Sequence, residues 1–360
     1  METMLESEAM AILVGAGVSY GRREAALRAA GGALAILEEP EAYAAQLQAR
    51  GVALVRRAWT DRARMLDELE RKGMALVPRG DEYYPPMLRH IAHPPHLLYV
   101  YGQTDLTDQF PVAVVGTRRA SAYGLNHTRQ MAAELANVGV CIVSGLALGI
   151  DAAAHTGALD AKGRTVAILG SALDQPYPAE NRPLMRRILE SGGSVVSEYP
   201  PGTPPQRGYF LQRNRLIAGL SRGLCVAEAR RRSGTMNTVA AALAAGRDVF
   251  SVPGSIFSPL CEGTNQLLRE GAVPAVSGAD ILLWYGLAQP EQPEKAKPDG
   301  APLSLDAQRM RDAMSAAAPL PLDALCAKTG LPPPKAMAAL TELELAGFSR
   351  QLAGRQFQLK

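Results

Sequence analysis

The chain has 360 residues, 47% of them hydrophobic and 20% charged, enough for two or three domains with at least one sizeable core. Its 38 basic and 35 acidic side chains leave a formal charge of +3, which excludes a polycationic tail of the histone kind but not a local basic groove. The basic total is 31 Arg and only 7 Lys. Guanidinium suits bidentate phosphate contact and stacking on bases. GC-rich coding produces the same excess, so the count alone assigns nothing.

Four cysteines, Cys141, Cys225, Cys261 and Cys326, lie far apart with no CxxC pair, and read as reduced thiols, mostly buried. The opening METMLESEAM holds three Glu and no basic residue, so no secretory signal is expected. No apolar run approaches the roughly 18 residues that cross a bilayer. The expectation is a cytoplasmic protein without membrane contact.

Residues 1–62, rich in Ala, Leu, Glu and Arg, predict a small domain of short helices. Gly15, Gly17 and Gly21 have the spacing GxGxxxG with no βαβ unit after them, so they read as helix-capping glycines rather than a dinucleotide loop. Residues 63–287 change texture, beginning with a lead-in that carries its own strand or two. Apolar runs at 111–116, 140–144, 165–170, 194–198, 224–228 and 248–253 alternate with Ala-rich helical patterns such as 123–137 and 235–245. Runs apolar through their centres are strands covered on both faces, so the fold class is α/β with a doubly wound, mostly parallel, extended Rossmann-like sheet. Residues 288–302 contain four prolines and no aliphatic period, and predict a linker. Residues 303–360 predict three helices, with a turn at Thr329–Gly330–Leu331, and a hairpin around Ala353–Gly354: a winged helix.

In an open parallel sheet, ligands bind beyond the carboxyl ends of the strands. Three of those ends carry small-residue or hydroxyl-bearing turns: GTRRASAYG from Gly116, SGLALGID from Ser144, and EARRRSGT ending at Thr235. Such turns at helix starts present N–H groups and positive charge to phosphate. NAD would need GxGxxG and an acid ending the second strand, where Ser144-Gly145 stands. A P-loop would need GxxxxGK[ST], which is absent. No cofactor is expected.

Residues 182–232 carry ten Arg against Glu190, Glu198 and Glu228, a local +7. Within them Arg207, Phe210, Arg213 and Arg215 alternate cations with a ring that a Pro/Gly-rich loop should leave accessible. Charge for the backbone with a ring for a base is what single-stranded nucleic acid requires. The other reading of the same spacing, Phe210 in the core with solvated Arg around it, stays open.

The runs VAVVGTRRASAYG, SGLALGIDAAAH, TVAILGSALDQPYPAEN, SEYPPG, YFLQRNRLIAGLS, VAEARRRSGTMNT and GRDVFSVPG, in this order, resemble the motifs of the DNA-processing protein A (DprA, or Smf) family over residues 65–286. The resemblance implies single-stranded-DNA binding in natural transformation or recombinational repair, protection of the incoming strand, and loading of the RecA recombinase with displacement of single-strand-binding protein. It implies no catalysis, and a homodimer formed through the Rossmann-like domain. It also implies a sterile-alpha-motif-like amino-terminal domain and a small winged helix. By the same resemblance Gly116, Thr117, Arg118 and Ser121 hold phosphates, with Ser144, Gly145, Gly234 and Thr235 on the neighbouring turns. Arg207 holds the place of a basic residue, Phe210 stacks on a base, and Arg213, Asn214 and Arg215 line the groove. Leu211 departs from the usual Pro of that motif, which leaves the pose of Phe210 open.

The third helix of the winged helix has Lys335 against Glu342 and Glu344, which argues for protein contact rather than major-groove reading. His90, His93 and His96 have a metal-like spacing, but Pro94-Pro95 interrupts any shared helix face. His155 is expected to be a satisfied helix histidine, and Asp151 and Asp174 to make structural hydrogen bonds. The alternative is a phosphoribohydrolase-like Rossmann enzyme with a PGGxGTxxE turn. Aligning its GT on Gly234-Thr235 puts Thr238 where the acid should stand, which disfavours it.

Overall fold

The computed structural model describes residues 4–107, 110–287, 303–315, 319–352 and 356–359. The chain divides into two compact units, Met1–Gln289 and Pro290–Lys360.

The first unit is built on a nine-stranded sheet. Its strands are β1 (Ala75–Pro78), β2 (Leu97–Gly102), β3 (Pro111–Val115), β4 (Cys141–Ser144), β5 (Thr165–Ile168), β6 (Ser194–Ser197), β7 (Gly223–Val226), β8 (Asp248–Ser251) and β9 (Val273–Pro274). They run in the order β1-β2-β6-β5-β4-β3-β7-β8-β9, with β3 to β9 parallel and β1 and β2 antiparallel at one edge. The six apolar runs therefore are strands, and the lead-in supplies the antiparallel pair.

Period-two alternation sends successive side chains into two different cores. From β3, Ala113 and Val115 enter the layer beneath helices Arg207–Leu220 and Thr235–Ala244. Val112 and Val114 enter the opposite layer, with Met131 and Leu135 of helix Ala122–Ala136 and Ala154 and Ala158 of helix Ile150–Asp160. Both layers are apolar, which explains why the strand centres carry no polar alternation.

Ahead of the sheet, helices Glu6–Gly15, Tyr20–Ala30, Ala33–Glu38, Ala44–Thr60 and Arg62–Arg71 enclose their own core around Ile12, Leu13, Ile36, Leu37 and Leu47. Of the glycines read as caps, Gly15 closes the first helix and Gly17 follows it at φ 76°, a region where L side chains are strained. Gly21, by contrast, lies inside the first turn of Tyr20–Ala30 and caps nothing; that helix ends instead at Gly31, φ 77°. This bundle is tied to the sheet by a polar cluster. Glu24 accepts from Arg79 at 3.0 Å, and the buried His96 lies between Glu24 (2.7 Å) and Arg23 (3.2 Å). His96 thus serves packing. Among the described residues no group of three or more His, Cys, Asp or Glu is placed to hold a metal, and no helix is long and apolar enough to cross a membrane. Cys141, Cys225 and Cys261 are buried and Cys326 is half-buried, all four as free thiols.

The linker expected at 288–302 lies outside the described residues. The second unit is a winged helix with helices Leu305–Ala313, Leu322–Thr329 and Pro333–Leu345. Its three-stranded sheet pairs Leu320–Pro321 with Gln356–Leu359, and that strand with Ser349–Leu352. Gly330 turns the chain at φ 73°. The hairpin tip expected at Ala353–Gly354 lies outside the described residues.

Candidate nucleic-acid interface

The chain runs from β3 outward to β4, β5 and β6 on one side, then returns to place β7 against the other flank of β3. That reversal leaves a crevice beyond the carboxyl ends of β3 and β7, the place where open α/β sheets bind ligands. It holds a cleft of about 940 Å³. Gly116, Thr117 and Arg118 form one wall, and Arg232, Ser233, Gly234, Thr235, Asn237 and Thr238 form a second. The third is the helix Arg207–Leu220, which contributes Arg207, Phe210, Leu211, Arg213, Asn214 and Ile217.

That helix corrects the expectation of a Pro/Gly-rich loop around Phe210. The prolines end at Pro205, and from Arg207 the chain is helical for 14 residues. Residues 207, 210, 211, 214 and 217 follow the i, i+3, i+4, i+7 rule, so one helical face supplies most of this wall. Phe210 is half-buried, between the two readings left open by its spacing. Its inner side rests on Gly170, where an added Cβ would lie 2.7 Å from Cδ1. The ring of Tyr177 is 5.4 Å away, and the Arg118 guanidinium lies 5.5 Å from the centroid.

A helix also separates Arg213 from Arg215, because residues two apart face different ways. Arg213 is buried, 4% exposed, and donates from Nη1 to the carbonyl of Gly145 at 2.8 Å and to that of Ile168. It thereby ties the ends of β4 and β5 to the helix. Gly145 is required there, since a side chain would overlap the guanidinium. Burial pushes Arg213 down to about 10, against the attraction of Asp151. Asp151, also buried, accepts from Gly145 N at 3.1 Å; burial raises its carboxyl, with Arg213 opposing. Arg215 pairs instead with Glu198 at 2.6 Å and does not line the cleft. The two arginines expected side by side in the groove therefore part: one forms its floor, the other braces the end of β6.

The Gly116–Ser121 turn is shaped by Glu228, which follows β7 and is 3% exposed. Its carbonyl accepts from Thr117 N at 2.7 Å, and its carboxylate accepts from Ser121 N (2.9 Å) and Ser121 Oγ (2.5 Å). Ser121 Oγ also accepts from Gly124 N, capping the helix Ala122–Ala136. Ser121 thus spends its hydroxyl on the turn, within which Arg118 is exposed. Ser144 is buried, its hydroxyl donating to Val114 O at 2.6 Å. Gly145 lines a small side pocket with Arg118, Tyr177 and Phe210. Asn214 reaches the Gly234 carbonyl at 3.4 Å across the cleft.

Of the thirteen residues singled out in sequence, nine line the cleft: Gly116, Thr117, Arg118, Arg207, Phe210, Arg213, Asn214, Gly234 and Thr235. Ser121, Ser144, Gly145 and Arg215 stand behind or beside it. Sequence reasoning missed Tyr177 and Arg232. The signal for Tyr177 was its Pro-flanked place in the loop after β5, where a 45% exposed ring has little packing reason to be. Arg232 lies in the EARRRSGT turn and makes no ion pair among the described residues. Four guanidinium groups, of Arg118, Arg207, Arg213 and Arg232, thus face one lining carboxylate, Asp151. Low-dielectric walls and one sign of charge favour an anion, and two rings favour a planar group. The acid that a hydrolase of the phosphoribohydrolase kind needs falls on the buried Thr238.

The model of the DNA recombination-mediator protein A family matches residues 75–285, and that of the DprA winged helix domain matches 294–355. Protein Smf of Escherichia coli K12 is 38% identical over 297 residues, 81% of this chain and 79% of its own length. The X-ray structure of DNA processing protein A from Streptococcus pneumoniae superposes with a TM-score of 0.68 at 36% identity, covering 79% of this chain and 98% of that one. DNA processing protein A of Helicobacter pylori, solved for its single-stranded DNA binding mode, gives 0.54 at 32% identity over 60% of this chain and 97% of its own.

Proposed function

The chain belongs to the DNA recombination-mediator protein A family, and on that premise we propose that its cleft binds single-stranded DNA. The observation that carries this reading is the pairing of exposed Arg118, Arg207 and Arg232 with the accessible rings of Phe210 and Tyr177 on the walls of one crevice. Phosphates meet the cations and the Gly116–Arg118 and Ser233–Thr235 turns, while unstacked bases meet the rings. Bases in a duplex are already stacked and paired, so the rings discriminate for single strands. The cleft acts as a binding site rather than an active site: its one lining carboxylate, Asp151, is buried and hydrogen-bonded to the backbone.

Family membership supports the rest of the reading. The protein protects incoming single strands and loads RecA on them as single-strand-binding protein leaves, in the cytoplasm, as a homodimer joined through the first unit. The winged helix makes protein contacts, since Lys335 is the one cation on the described third helix and stands against Glu342 and Glu344.

Competition between a labelled single-stranded oligonucleotide and its duplex tests the binding. We expect a preference for the single strand. Phe210→Ala should weaken it by roughly 1–3 kcal/mol, one lost base stack. Equal competition by duplex, or unchanged binding of Phe210→Ala, contradicts the reading. Strand exchange on DNA coated with single-strand-binding protein then tests RecA loading, which the same substitution should slow.

A further inference from the structure

A second cavity, of about 400 Å³, begins where the cleft stops. It lies between helices Ala122–Ala136 and Ile150–Asp160 and shares Arg118 with the cleft. Its cationic wall is Arg118, Arg119 and Arg129, with Asn126 beside them. Arg119 is exposed and makes no ion pair among the described residues. Arg129 bonds Asp160 at 2.5 Å through Nε, yet its side chain is 58% exposed, and Asp160 also has Arg187 at 3.5 Å. That single carboxylate therefore does not cancel the cations around it.

The groove is open because of the residues opposite. Residues 149, 152, 153 and 156 share one face of the second helix and are Gly, Ala, Ala and Thr, too small to fill the space before the arginines. The two helices approach closely at Gly157, where a Cβ would collide with the Arg129 carbonyl. No ring lines this groove, in contrast to the cleft. It offers charge and hydrogen bonds without a stacking surface, which suits a sugar-phosphate backbone whose bases point away.

We propose that this groove is a continuation of the single-strand site. A strand seated in the cleft passes Arg118 and lays its next phosphates along Arg119, Asn126 and Arg129. The inference rests on the reading of the cleft as a single-strand site and extends it in length. It makes Arg118 the joint between two segments: one read through rings and phosphates, one through phosphates alone.

Fluorescence titration of the full chain with oligothymidylates of about 6 and about 20 nucleotides tests this, lengths that bracket one compact site. Wild type should bind the longer strand more tightly than the added statistical positions explain. Arg119→Ala with Arg129→Gln should weaken the long strand roughly fivefold and leave the short one unchanged. The slope of log K against log salt should fall by about 0.7 for each phosphate no longer neutralised, for the long strand only. Asn126→Asp, which places a negative charge in the groove without removing the Arg129–Asp160 bond, should act in the same direction. Retained short-strand binding shows that the variants are folded. Equal behaviour of variants and wild type with both lengths overturns the groove and leaves the cleft standing. Failure of wild type to bind either length overturns the cleft reading itself.

Discussion

Arg213 and Arg207 carry the same group on one helix and do opposite work. Arg213 is enclosed and satisfies two carbonyls at the ends of β4 and β5; Arg207 is exposed and makes no ion pair among the described residues. Removing Arg213 leaves two buried carbonyls without their donor and takes a neighbouring positive charge from the buried Asp151, each unpaired acceptor costing about 1–3 kcal/mol. Arg213→Met should therefore lower unfolding stability by about 2–4 kcal/mol in denaturant titration. Arg207→Ala should stay within about 0.5 kcal/mol of wild type while weakening DNA binding. Equal stability of the two variants would place Arg213 in solvent and contradict the site. The sequence displayed these cations but not which way they point. Facing is a property of the helix, and that helix was hidden behind PPGTPP.

Six strands were legible because burial on both faces forces uninterrupted apolar runs, a signal that survives without knowing the neighbours. The helix Arg207–Leu220 was not, although 207, 210, 211, 214 and 217 hold helical spacing, because the preceding prolines and glycines outweigh that period in a short window. Also illegible were contacts across distant loops, such as Glu228 with the Gly116–Ser121 turn, and Asp174, which joins Gly202 N (3.1 Å) to Lys72 (2.7 Å) of the amino-terminal bundle. How the helix seats Phe210 can be tested at Gly170, where a methyl would come within 3.0 Å of the Phe210 Cα. Gly170→Ala should cost about 1–3 kcal/mol of overpacking and displace the ring, weakening single-strand binding in the competition assay. Unchanged stability and binding would mean that Phe210 does not rest there.

At the scale of the whole molecule, two buried histidines couple stability to pH. Burial, with Arg23 beside it, pushes His96 down to about 4, and burial pushes His155 down to about 3. Hydrogen bonding agrees: Arg23 can only donate, so His96 Nδ1 accepts and its proton sits on Nε2 toward Glu24; Thr165 Oγ1 donates to Ile142 O, so His155 Nδ1 donates to Thr165. Both rings are neutral in the fold and titrate near 6.5 when unfolded. The unfolded chain therefore binds more protons below that value. The contribution is complete above pH 6.5 and lost as pH falls toward 4, at about 1.4 kcal/mol per pH unit for each ring. His96→Gln, which can keep both partners, should remove one proton from that slope in denaturant titrations. A stability constant between pH 6.5 and 4.5 would contradict the neutral rings.

Function in this molecule turns on whether the cations at the β3–β7 crevice meet the phosphates of a single strand. The most direct test is the salt dependence of binding to a short oligothymidylate by wild type and by Arg118→Ala/Arg207→Ala/Arg232→Ala. With three phosphates no longer neutralised, the slope of log K against log salt should fall by about 2, and binding should weaken at every salt concentration. An unchanged slope, with the triple variant folded, would place the strand elsewhere on the molecule.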